Sequence, residues 1–235
     1  SPDSAGPDST GPGNTVTNPA NQDADGAYPV EIETQFGTTV IESRPERIVS
    51  IGFTDGDFIL ALGVTPVAIR EWYGDQPGGL WPWAAETAAA KAGSIEKLSS
   101  DAISVEKIAA LKPDLIVGIV SGMTKAEYDD LSQIAPTIAQ TDQYVEWGTP
   151  WNEIQLTIGK ALGLHDEAEA IVASTRALID EAAQAHPEWT GKTAQFGVVG
   201  PDGTWYSYGE QDNRGRLLTE LGFVVVRMDG MGTNW

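Results

Sequence analysis

The chain has no cysteine and only two histidines. Disulfide staples, cysteine-ligated metals and a cysteine nucleophile are therefore excluded. His165 and His186, each at the end of a helical stretch, are too few for a histidine-rich metal centre. Basic residues are scarce too: 14 Lys and Arg stand against 34 Asp and Glu, a formal charge of -20. Nucleic-acid binding depends on clusters of such cations, so nucleic acid is excluded as a partner. No run of 18 apolar residues occurs, and nothing reads as a membrane-spanning helix. A nucleophile elbow, a phosphate-binding glycine loop and a dinucleotide fingerprint are also missing; Gly-Pro-Asp-Gly at 200–203 is only a turn.

What is present is a globular composition, 41 % hydrophobic over 235 residues, preceded by a leader of another kind. Residues 1–27 are mostly Ser, Pro, Asp, Gly, Asn and Thr without Lys or Arg, which predicts a disordered tether. Such a leader resembles the mature start of an exported protein whose signal peptide, with or without a lipidated cysteine anchor, has been removed. A tail without purpose is the alternative.

The clearest periodicity lies in residues 150–188. Trp151, Ile154, Ile158, Ala161 and Leu162, then Ala168, Ile171, Val172, Thr175, Leu178, Ile179 and Ala182, recur at helical spacing. Gly163 reads as the stop of the first helix and Asp166 as the N-cap of the second. Strand-and-helix alternation lies on both sides. The expected organisation is an N-terminal α/β lobe at 28–149, linking helices at 150–188 and a partial C-terminal α/β lobe at 189–235, with function in the cleft between lobes.

Within the first lobe, strand, Gly-containing loop, helix and strand follow one another at 47–69, the unit of a parallel sheet whose ligands sit beyond the carboxyl ends of its strands. The loop after Ile51 carries Phe53. The loop after Ile69 opens with Arg70, Trp72 and Tyr73 and runs through Gly and Pro to Trp81 and Trp83. Aromatics and a cation on a loop suit a ligand that is partly flat and partly anionic. Packing beneath the loop as a satellite core is the other reading, and the sequence leaves both open. Trp147 sits on a later loop, and Tyr206 and Tyr208 on a strand of the second lobe. Arg214 and Arg227, with Arg70, form a predicted cationic focus for an anion, or else three surface ion pairs.

The segment 101–119 reads Asp-Ala-Ile-Ser-Val-Glu-Lys-Ile-Ala-Ala-Leu-Lys-Pro-Asp-Leu-Ile-Val-Gly-Ile. It resembles the signature of the siderophore-type, helical-backbone periplasmic binding proteins, the substrate-binding components of iron-complex and cobalamin ABC importers. Arg-Ile-Val-Ser at 47–50 with Ala-Leu-Gly-Val at 61–64, Leu-Ser-Gln-Ile-Ala-Pro at 131–136 and Ile-Gly-Lys-Ala-Leu-Gly at 158–163 match the same family in order. The resemblance implies an α/β fold of two Rossmann-like lobes with parallel sheets joined by a long backbone helix. The second lobe, ending in a loop-like segment at Trp235, is expected to be incomplete. It also implies that Glu106 docks on a permease dimer, where residue chemistry alone would make it a solvated helix-face charge.

The resemblance favours a monomeric, extracytoplasmic carrier, periplasmic or lipid-anchored to the membrane, without covalent cofactor and without a metal bound directly by the protein. Its ligand is expected to be a ferric siderophore, with Arg70 against the chelate oxygens and Tyr206 or Tyr208 facing it. Haem and cobalamin are the alternatives in the same fold. An enzyme of carbohydrate chemistry is a distant one, with Asp55 and Asp57, or Glu71 and Asp75, as the acidic pair.

Overall fold

The computed structural model describes residues 27–88, 95–200, 203–226 and 232–234. The expected tether, save Ala27, and Arg227 lie outside them.

The first element is a hairpin, β1 Val30–Thr34 paired antiparallel with β2 Gly37–Ile41, its apolar positions alternating inward. Then comes a parallel sheet of β3 Ile48–Ser50, β4 Ala68–Arg70, β5 Glu96–Leu98, β6 Leu115–Gly118 and β7 Thr137–Ala139, in the order β5-β4-β3-β6-β7. β3, β4, β6 and β7 are buried along their length, as near-continuous apolar strands covered on both faces must be. One face packs with Ile48, Leu115 and Val117 against Ile59 of α1 (Asp55–Ala61) and Ile154 and Ile158 of α5 (Trp151–Ala161). The opposite face packs Val49 and Ile116 against Ile108 of α3 (Val105–Ala110) and Leu131 of α4 (Lys125–Ser132). Between β4 and β5 lies α2 Pro82–Ala88, where the sequence reads as loop.

The signature blocks have a structural explanation. Asp114, of the Lys-Pro-Asp run, accepts the backbone N–H groups of Glu46 and Arg47 at 2.8 Å each. Arg47 in turn donates to Lys112 O and Leu111 O at the end of α3, satisfying terminal carbonyls that have no partner within the helix. Ser104 caps the start of α3 by accepting the N–H of Lys107.

Helix α5 ends before Gly163, as expected, and α6 runs His165–Ala185. Asp166 falls inside its first turn rather than capping it, where a carboxylate still favours the helix dipole. The two helices meet at Gly159, where a Cβ would stand 2.3 Å from that of Ala168, so the crossing requires glycine. Ala168 and Val172 are buried, whereas Leu178 stands exposed.

Beyond α6 come two short strands, β8 Thr193–Ala194 and β9 Phe196–Val199, which belong to different sheets. β9 pairs antiparallel with β10 Trp205–Tyr208, which pairs parallel with β12 Gly232–Asn234; β8 pairs parallel with β11 Val224–Val225. Helix α7, Asn213–Glu220, joins β10 to β11. The second half is thus mixed in strand direction, while the five-stranded sheet of the first is wholly parallel.

Candidate functional site

In the five-stranded sheet β4 lies on one side of β3 and β6 on the other, so the chain reverses its winding between β3 and β6. Loops leaving the carboxyl ends of those strands diverge and open a crevice, the general ligand position in such sheets. Here it is a cavity of about 410 Å³. Phe53 and Thr54 after β3, Trp72 after β4, Val120 after β6 and Trp147 after β7 form one wall. Tyr208, Asp212, Asn213 and Arg214, from the end of β10 and the start of α7, form the other.

The first wall is held from beneath by buried polar groups. Asp55, wholly buried, accepts the N–H of Ile119 at 2.6 Å and that of Val120 at 3.2 Å, fastening the β6 loop to the start of α1. Burial pushes its carboxyl up to about 7, against the opposing pull of those two N–H groups. Arg70 does not line the cavity. It donates to Ser121 O at 3.2 Å and Ser100 O at 2.9 Å, with Ile51 O at 3.5 Å. Carbonyls at the ends of a parallel sheet have lost their ladder partners and need donors, which a guanidinium supplies in quantity. Its charge also sits 4.2 Å from the centroid of the Phe53 ring. Arg70 is therefore one layer behind the cavity, supporting Phe53.

Phe53 stacks on Trp147 at 5.6 Å between centroids. Trp147 has a left-handed backbone, φ 65°, rare for a bulky residue. Gln140 stabilises this turn: its Oε1 accepts the Trp147 N–H at 3.0 Å, and its Nε2 donates to Tyr144 O and Val145 O. Gly122, itself left-handed, lies so near the Trp147 ring that a Cβ would meet it at 2.5 Å.

The second wall is fixed by fewer contacts. Asn213 accepts the Trp151 N–H at 2.9 Å and donates to Thr149 O at 3.0 Å, and Arg216 donates to Gly148 O at 3.1 Å. These attach α7 to the start of α5. Asp212 accepts the backbone N–H of Arg214 and two guanidinium N–H groups, at 2.7 and 2.6 Å. The Arg214 guanidinium also lies 3.4 Å from the Tyr208 ring centroid. Burial pulls the Arg214 pKa down, but its pairing with Asp212 outweighs this and leaves it above the ordinary value.

Of the expected ligand residues, Phe53, Trp72, Trp147, Tyr208 and Arg214 meet at one cavity. Tyr73, Trp81 and Trp83 continue outward from Trp72 as an aromatic file, with successive centroids 4.8, 4.8 and 5.1 Å apart, running from the loop after β4 onto α2 rather than lining the cavity. Tyr206 lies two residues before Tyr208 on β10, farther from the crevice. Arg227 is outside the described residues. Glu106 is exposed on the first turn of α3. Asp212, Asn213 and Gln140 were not legible as site residues; in that stretch only Arg214 was singled out from the sequence.

None of the four acidic candidates lines the cavity. Asp55 is occupied by backbone, Asp57 accepts the Trp83 indole N–H at 2.8 Å, and Glu71 and Asp75 both pair with Lys97. Among the described residues no group of three or more His, Asp or Glu stands close enough to hold a metal ion. No helix there is long and apolar enough to cross a membrane.

Comparison with known proteins agrees with this architecture. The chain is 34 % identical to a periplasmic solute binding protein of Mycobacterium smegmatis, with a TM-score of 0.76 over 86 % of this chain and 70 % of that one. With Streptococcus pneumoniae PiaA in complex with ferrichrome it shares 31 % identity and a TM-score of 0.73, over 84 % of this chain and 67 % of the other. The ferric enterobactin-binding periplasmic protein of Escherichia coli is 28 % identical over 86 % of this chain. The chain spans 58 to 63 % of the length of that protein and of two other curated relatives, a putative ABC transporter substrate-binding lipoprotein of Bacillus subtilis and a ferric-anguibactin-binding protein of Vibrio anguillarum. The family of periplasmic binding proteins matches residues 57–229, most of the chain, and the chain belongs to it.

Proposed function

We propose that this chain is the solute-capturing part of an ABC importer for iron complexes, taking a ferric siderophore in the cavity between its halves and presenting it to a permease. The observation that carries this reading is the cavity itself. It lies at the switch point of a parallel sheet, is walled by Phe53, Trp72, Trp147 and Tyr208, and among the described residues has one carboxylate in its lining, Asp212, which is paired with Arg214. Its volume of about 410 Å³ suits a small molecule held whole. Relatives whose names specify ferric enterobactin, ferric anguibactin and ferric citrate, and a neighbour solved with ferrichrome, support the substrate class.

Delivery requires a docking face, and Glu106, exposed on α3 away from the cavity lining, is the residue assigned to it. The protein works as a monomer outside the cytoplasm, held to the membrane surface by a lipid where it is a lipoprotein. Titration with ferric siderophores, haem, cobalamin and oligosaccharides, followed by tryptophan fluorescence, tests the reading, since Trp72 and Trp147 line the site. Quenching by a ferric siderophore is expected. Quenching by haem or cobalamin alone would replace the substrate class, and quenching by oligosaccharides alone would remove the carrier reading.

A further inference from the structure

The cavity holds an imbalance between what its position invites and what its charges allow. A carrier of polyanionic chelates needs uncompensated cations facing the ligand. Among the described residues, Arg214 is the one cationic side chain in the lining, and Asp212, in the same lining, holds it through two guanidinium bonds at 2.7 and 2.6 Å. Arg70 is turned away toward three backbone carbonyls. Beside this cancelled pair the lining is uncharged: Phe53, Trp72, Trp147 and Tyr208, with Thr54, Val120 and Asn213.

We propose that the cavity is selective for an electroneutral ferric chelate, and that Asp212 sets this selectivity by cancelling Arg214. The inference rests on the carrier reading above. Fe3+ carries three positive charges: three hydroxamates cancel them, whereas three catecholates leave a trianionic complex. A neutral complex meets aromatic faces and an already satisfied ion pair, and leaves each buried charge paired. A trianionic complex must recruit Arg214 by breaking its bonds to Asp212. That leaves a buried carboxylate, only 3 % exposed, unpaired beside a like charge. Asp212 also caps α7, accepting the Arg214 N–H at 2.8 Å, so its position is fixed by the helix and it cannot swing aside without loss of the cap.

The test compares neutral ferrichrome with trianionic ferric enterobactin, using the chain and its Asp212→Asn variant. Asparagine is as good an N-cap as aspartate, so the helix start is retained while the negative charge is lost. The wild-type chain should bind ferrichrome about 100-fold more tightly, with an affinity nearly independent of salt, as expected where no net charge is neutralised. In Asp212→Asn the enterobactin complex should gain at least about tenfold relative to ferrichrome and become salt-sensitive. The wild-type preference for the neutral over the trianionic complex supports the proposal even where the variant folds poorly. Tighter binding of the trianionic complex by the wild-type chain, or an unchanged preference in a folded variant, would overturn the charge assignment and leave the carrier reading intact. Binding of neither complex overturns both.

Discussion

The two walls of the cavity are made by different means. The first stands on a sheet whose central strands are buried throughout, and its loops are fastened by Asp55, Arg70 and Gln140, all inside the protein. The second stands on strands whose residues face outward: Phe196, Val198, Val199 and Val224 are 44 to 58 % exposed, and α7 is attached through Asn213 and Arg216. One wall is a consequence of the core, the other of a few named contacts. Damage to the first should therefore appear as lost stability, and damage to the second as lost affinity.

The largest expected effect concerns Asp55. Its folded pKa of about 7 lies above the ordinary aspartate value near 4, so the folded protein holds this proton more tightly than the unfolded chain. The stability it contributes is complete below pH 4 and is lost as pH rises through 7. Urea unfolding of the wild-type chain should therefore weaken between pH 4 and 8, relative to Asp55→Asn, by on the order of 3 kcal/mol. A difference that stays flat with pH would mean that the N–H groups of Ile119 and Val120 keep the carboxylate ionised throughout, and the first wall would not depend on burial in this way.

Arg70 sharpens the same contrast. Arg70→Met leaves the carbonyls of Ile51, Ser100 and Ser121 without this donor, and should cost about 2 to 3 kcal/mol in urea. Affinity should fall only as Phe53 shifts. If affinity drops at least a hundredfold while the unfolding midpoint holds, Arg70 belongs to the ligand and not to the support.

The sequence made the first wall's framework readable and the second's only in outline. Apolar strands, their glycine-containing loops and the Lys-Pro-Asp block are local patterns, and they placed Phe53, Trp72 and Trp147 on the right loops. What local pattern cannot convey is orientation across chain separations. Arg70 looked like a ligand residue because it ends a buried strand, but its partners lie 19 to 51 residues away. Asn213 carried no site signal in the sequence, and its partners lie 62 and 64 residues away. Trp81 and Trp83 showed the reverse: an aromatic cluster read as ligand wall forms a file from the loop after β4 onto α2.

For the second wall, Asn213→Ala removes both bonds to residues 149 and 151 and should cost about 1 to 2 kcal/mol, with affinity down about tenfold. Amide exchange should accelerate at the Trp151 N–H and along α7 while the core of the five-stranded sheet stays protected. Uniform acceleration across both halves would erase the distinction between a wall set by the core and one set by tethers.

Glu106 should give the smallest change in the molecule itself. It is exposed, outside both walls, and its helix is capped by Ser104 and closed by Arg47 without its help. Glu106→Gln should leave unfolding within about 0.5 kcal/mol, the usual span for surface substitutions, and leave siderophore affinity unchanged. On the proposed docking, uptake by cells should nevertheless fall, because the lost charge would be read by the permease and not by the cavity. Weakened binding in the isolated chain would instead tie α3 to the first wall, and the docking face would have to be sought elsewhere.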